Sequence, residues 1–226
     1  MKRQVLMAWL AALLLCTAAR ADPITFFNAQ YEATAIALTA DGPAGLSNQS
    51  GALGPDLVSL SADSVGGSDV ATAGAVVGLG LLTTSADVSA GAIGSAVATA
   101  RFTGSFLSTG GVSLAIDFTS TDVASGSGGA STALFVSLVN NGVTLFADFV
   151  TQGWQFSYVP LVGSVSVLDL TLSSDVSAAF LSAGPGNASS FGLVTVAGTV
   201  PEAASWLLYA LGLGALAALR ARAAGR

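Results

Sequence analysis

The stretch Val112-Ser113-Leu114-Ala115-Ile116-Asp117-Phe118-Thr119 alternates apolar and polar residues without a break. A period of two puts Val112, Leu114, Ile116 and Phe118 on one side of an extended chain, the pattern of a half-buried strand. Phe102 and Phe106 lie on the segment before it, and the intervening Gly110-Gly111 predicts a hairpin turn. Ala133 to Val139 and Val143 to Phe149 flank Asn141-Gly142, whose tolerance of left-handed φ suits a type I′ turn and predicts a second hairpin. Trp154, Phe156 and Tyr158 alternate with Gln155 and Ser157, while Ser164 to Ser173 and Phe191 to Thr199 read as further strands. Strands at this spacing predict a mainly β body, an antiparallel β-sandwich that is jelly-roll-like or immunoglobulin-like in outline, over residues 22–199.

Ala33 to Ala100 is of another kind, with no aromatic residue and a preponderance of Ala, Gly, Ser and Val. A dense core is hard to build from such side chains, so weak edge strands and loops are expected there. Val70 to Leu82 is its most apolar part, yet it is too short to span a bilayer. Gly74, Gly78 and Gly80 lack the spacing of a nucleotide-binding loop. Two Asn-x-Ser sequons, at Asn48 and Asn187, are expected on surface loops.

Charge is distributed unevenly. Of seven basic residues only Arg101 falls between Asp22 and Val200, where it stands against Glu32 and eleven Asp, a formal charge of −11. That balance provides no basic footprint for nucleic acid and repels anionic surfaces, so neutral partners are expected.

The two ends follow different rules. Met1 to Ala21 has Lys2 and Arg3, an apolar run from Val5 to Leu15 and small residues at Ala19 and Ala21, the three parts of a secretory signal. Cleavage is expected after Ala21, through the Sec machinery and signal peptidase. The competing reading is a lipoprotein signal with Cys16 as the lipidated first residue, but Leu15 is bulkier than the Gly or Ala such signals carry there. At the other end, Ala203 to Leu219 contains 17 uncharged residues and is followed by Arg220, Arg222 and Arg226. As a helix, 203–219 would extend roughly 25 Å, enough to cross a bilayer, with the arginines as a cytoplasmic stop and the body outside.

Val200-Pro201-Glu202-Ala203-Ala204-Ser205-Trp206, then the apolar run and the basic terminus, resembles the PEP-CTERM sorting signal of Gram-negative bacteria. The resemblance covers residues 200–226 and departs from the family at Ala203, where a second proline is usual. It implies recognition by an exosortase in the inner membrane, with Pro201 and Glu202 as the motif, and a role beside exopolysaccharide in a biofilm matrix. The chain would then be an inner-membrane-anchored precursor with a periplasmic body, delivered later to the outer surface or the extracellular matrix. Pro201 disfavours helix in the residues before it, so an extended segment should lead into the tail.

There is no His in the chain, and no Cys or Lys remains after signal removal. Ser-His-Asp, Cys-His, Ser-Lys and Schiff-base machinery, and His or Cys zinc sites, are thereby excluded. Carboxylate chemistry survives, as in a glycosidase using two of Asp117, Asp122, Asp148 and Asp169. Calcium on oxygen ligands also survives, its densest candidate being Asp63 to Asp69, which lacks the alternation of an EF-hand loop and reads better as a solvated turn. Trp154, Phe156 and Tyr158 offer a sugar-stacking platform if exposed, though large aromatics are more often core. The expectation is a non-enzymatic structural or adhesive surface protein with no cofactor or metal. A carbohydrate-binding module is the alternative, and a carboxylate glycosidase a remoter one.

Overall fold

The computed structural model describes residues 21–67, 69–89, 94–108, 111–161, 163–178 and 186–201. These fold into two six-stranded antiparallel sheets packed as a β-sandwich, with one further short strand. The strands are β1 (Ala21–Pro23), β2 (Phe27–Thr39), β3 (Gly45–Ala52), β4 (Val58–Gly66), β5 (Asp69–Gly78), β6 (Leu81–Ser89) and β7 (Gly94–Ser108). They continue with β8 (Val112–Ser125), β9 (Gly129–Asn140), β10 (Val143–Val150), β11 (Trp154–Tyr158), β12 (Ser164–Ala178) and β13 (Asn187–Pro201). One sheet runs β11-β8-β13-β6-β5-β4, with β1 added beside β13, and the other runs β10-β9-β12-β7-β2-β3. From β6 onward the pairings are nested, β9 with β10, β8 with β11, β7 with β12 and β6 with β13. β2–β3 widens one sheet beyond β7, and β4–β5 widens the other beyond β6.

The alternation at Val112 to Phe118 places Val112, Leu114 and Ile116 in the core, where they meet Phe102, Phe106, Leu134, Leu138, Leu168, Leu170 and Leu172. Phe26, between β1 and β2, caps this cluster edge-on against Phe102 and Phe106, with ring centroids 5.1 and 5.8 Å apart. Gly104 makes room for it, since a Cβ there would collide with both Phe26 and Phe102. The predicted turn at Asn141-Gly142 joins β9 to β10 with both residues at positive φ, 47° and 79°, as a type I′ hairpin requires.

The strands that flank Gly110-Gly111 do not pair as a hairpin, and Gly110 itself lies outside the described residues. β7 and β8 alternate as expected, but they belong to opposite sheets, so this connection crosses the sandwich. Local alternation is the same for strands that pair and for strands that face one another, and the sequence signal could not separate them.

The aromatic-free region is also more ordered than expected. Only β3 and β4 are edges, whereas β5, β6 and β7 are interior strands. Their inward residues form a second core built almost wholly of alanine: Ala35, Ala37, Ala62, Ala71, Ala73, Ala86, Ala96 and Ala98, with Val88 and Val176. Side chains this small let the sheets close up. Facing strands such as β2 and β5, or β5 and β7, bring Cα atoms within 8 Å across the sandwich, below the roughly 10 Å of ordinary sheet packing.

A belt of hydroxyls separates the two cores. Thr84 Oγ1 of one sheet meets Ser174 Oγ of the other at 2.7 Å, and Thr132 Oγ1 meets Ser190 Oγ at 2.6 Å. At the far end of the alanine core, Thr39 and Ser64 make a similar bridge of 2.9 Å. Among the described residues no buried side-chain polar atom lacks a partner. The sequons fall on strands rather than loops, Asn48 on β3 and Asn187 at the start of β13, both exposed.

Candidate functional site

β11 is an edge strand, and its register with β8 (Trp154 opposite Ile116, Phe156 opposite Leu114, Tyr158 opposite Val112) turns its three aromatics toward the interior. Trp154 and Phe156 stack with centroids 5.3 Å apart and planes 4° from parallel, and Phe146 of the facing edge strand β10 packs on Trp154 at 4.6 Å. All are half-buried against the large-residue core. The ladder closes the seam between the two sheets, and its ring faces are occupied by one another. A sugar platform needs the reverse, ring faces turned to solvent.

The seam ends in a polar chain. Tyr158 donates its hydroxyl to Ser166 Oγ at 2.6 Å, and Asn140 Nδ2 donates to both Ser166 and Ser164 at 2.9 Å. Burial pushes the Tyr158 phenol above its ordinary value, and the bond to Ser166 opposes that rise. A shallow depression beside it is lined by Gly111, Val112, Ser113, Ser157, Tyr158 and Val159.

The four candidate carboxylates are not brought together. Register and alternation put Asp117 on the outer and Asp122 on the inner face of one sheet, and Asp148 on the inner and Asp169 on the outer face of the other. Three of them have assigned partners. Asp122 accepts from the Thr132 amide at 3.1 Å and from the hydroxyls of Thr132 and Ser190 at 2.6 Å, tying β8 to β9. Asp148 accepts from the adjacent Phe149 amide. Asp169 takes both Nε and Nη2 of Arg101, the Nε bond at 3.0 Å. The pairing that a two-carboxylate mechanism needs is not present among these side chains.

Arg101, the body's lone base, is thus already engaged. Its bond to Asp169 and that carboxylate's charge, with a smaller contribution from Glu32 at 3.9 Å, raise its pKa against the opposing effect of burial. Half-exposed on an outer face, it is the middle of an acidic pair rather than a free anion site.

The calcium candidate also separates. Asp63 is exposed on β4 opposite Thr72, whereas Asp69 is buried at the start of β5. No group of three or more acidic, His or Cys side chains suited to a metal occurs among the described residues.

The two ends of the described body are paired. β1 pairs with the end of β13, Ala21 opposite Pro201, Asp22 opposite Val200 and Pro23 opposite Thr199, and the Ile24 amide continues the ladder to Gly198 C=O at 3.0 Å. β6 leaves β13 after Thr195, and β1 takes the position it vacates. The segment ahead of Glu202 is therefore extended through Pro201. Ala19, Glu202, the 203–219 helix and Arg220, Arg222 and Arg226 lie outside the described residues. Among the described residues no helix is long and apolar enough to cross a membrane.

No family model matches this chain, and no curated protein matches it either. Sequence reasoning missed the inter-sheet hydroxyl belt, because inward Ser and Thr are indistinguishable from outward ones once alternation is read by polarity alone.

Proposed function

We propose that this chain is an exported protein of the cell surface or biofilm matrix, with a structural or adhesive, non-catalytic body and a C-terminal tail that an exosortase reads. The observation that carries the proposal is the order of three elements in 27 residues: Val200-Pro201-Glu202, an uncharged run, and terminal arginines. The β1–β13 pair supports it in one respect, since β13 stays extended and paired as far as Pro201, the first residue of the motif.

The body is best described as jelly-roll-like. Four nested strand pairs from β6 to β13 are what a long hairpin wound around a barrel produces, and they favour that outline over an immunoglobulin-like one. Inward-turned aromatics weigh against a carbohydrate module built on Trp154, Phe156 and Tyr158, and the dispersed carboxylates weigh against a glycosidase. With Arg101 engaged, an excess of acid favours neutral exopolysaccharide as matrix partner over anionic polymers and nucleic acid.

Replacing Pro201 and Glu202 together by Ala tests the sorting reading in cells that have an exosortase. The double variant should accumulate as full-length, membrane-held precursor while wild type loses the tail. Restoring Pro at position 203 should raise processing. Equal retention of the tail by wild type and double variant would replace sorting with plain anchoring.

A further inference from the structure

Among the described residues the two six-stranded sheets end in four edge strands, and an edge is a row of backbone donors and acceptors open to another chain. Three of the four carry a feature that discourages pairing. β10 has a register break between Thr144 and Phe146 and turns the Asp148 carboxylate toward the interior side of an edge. β11 is five residues long, with Pro160 two residues beyond its end. β4 is overlaid at Asp63 to Gly66 by the end of β2, the connection after it and the first residue of β3: Gly45 lies against the Asp63 backbone, Gly42 against Val65 C=O, and Thr39 bonds Ser64.

β3 has none of these features from Leu46 to Ala52. Its register with β2 is unbroken from Gly45 to Ala52, and it contains no charged residue and no proline. Every residue from Leu46 to Ala52 except Ser47 is exposed, Leu46 to 71%. The Leu53 amide donates to Ala29 C=O at 2.8 Å, which fixes the parity of the ladder. Odd-numbered residues of β3 turn their amides and carbonyls to β2, and Leu46, Asn48, Ser50 and Ala52 turn theirs to the open edge.

We propose that β3 pairs antiparallel with β3 of a second copy of this chain, about a two-fold axis at Gln49, joining two six-stranded sheets into one. In that register Asn48 faces Ser50 of the other copy and Leu46 faces Ala52, so each outward amide meets an outward carbonyl and the exposed Leu46 is covered. Charge selects the same edge. The body carries −11, which opposes most contacts between copies, but β3 places no acid opposite another. Glu32, one strand inward, is held by Arg101. The pairing is independent of whether the tail is cut.

Gln49 provides the test, because residues at a non-hydrogen-bonded antiparallel pair have Cα atoms about 4.5 Å apart, within the roughly 4.4–6.8 Å that a disulfide spans. In the full chain with Cys16 replaced by Ser, Gln49→Cys should give a covalent species of twice the chain mass on mild oxidation in intact cells. Ser61→Cys on β4 should not. Adding Asn48→Pro, which removes an open-edge donor and leaves the bonds to β2 in place, should abolish the product while β-type circular dichroism persists. Asn48→Asp, which keeps the backbone donor and adds a like charge to both copies beside the axis, should reduce it several-fold. No product from Gln49→Cys, an equal product from Ser61→Cys, a product of another mass, or insensitivity to both Asn48 variants would each overturn the pairing.

Discussion

Ala21 and Pro201 stand opposite each other in antiparallel register, the first rung of β1 against the last of β13. β13 is thereby paired to its last described residue, and no described strand depends on residues beyond Pro201. Deleting Ala203 to Arg226 should release the body in soluble form with its fold intact. Circular dichroism is expected to retain the β-type spectrum and a cooperative melt. A truncated chain that aggregates or loses that spectrum would show the tail to be part of the fold.

The alanine core reverses the usual size rule. Ala98 is fully buried between sheets already closer than normal, so Ala98→Leu should destabilise by overpacking, by about 1–3 kcal/mol. Leu170→Ala, in the large-residue core, should cost about 2–5 kcal/mol through the cavity it leaves. Urea denaturation of both variants checks the pair. An Ala98→Leu chain as stable as wild type would mean that the sheets are not held close at that end.

Tyr158 gives a pH signature. Its phenol is raised above its ordinary value by burial, so the folded state holds the proton more tightly than the unfolded chain does. Stability from this group is therefore fully present below the unfolded value near 10.0 and declines as pH rises through the folded value. Absorbance titration should show a tyrosine ionising later than a model phenol, and Tyr158→Phe should remove that phase. Loss of a different phase would contradict the seam geometry.

Much of the fold was legible and its assembly was not. Val112 to Phe118 and Asn141-Gly142 could be read because alternation and left-handed turn chemistry are local properties of the chain. The β7–β8 crossing at Gly110-Gly111 could not, because which sheet a strand joins depends on partners tens of residues away. Ala71, Ala73, Ala96 and Ala98 looked too small to form a core and succeed because both sheets present alanine at the same level. The candidate residues divide similarly. Trp154, Phe156 and Tyr158 were recognisable as a strand face, while their closure against Phe146 depends on the second sheet.

The central claim is export followed by removal of the tail, and intact mass of the protein recovered from the surface fraction of exosortase-bearing cells tests it most directly. The mass should correspond to a chain beginning at Asp22 and ending near Pro201-Glu202, and in cells lacking the exosortase the tail should remain. A lipidated N-terminus at Cys16 would contradict the signal-peptidase start, and wild-type protein keeping Arg220, Arg222 and Arg226 in both strains would contradict the sorting account.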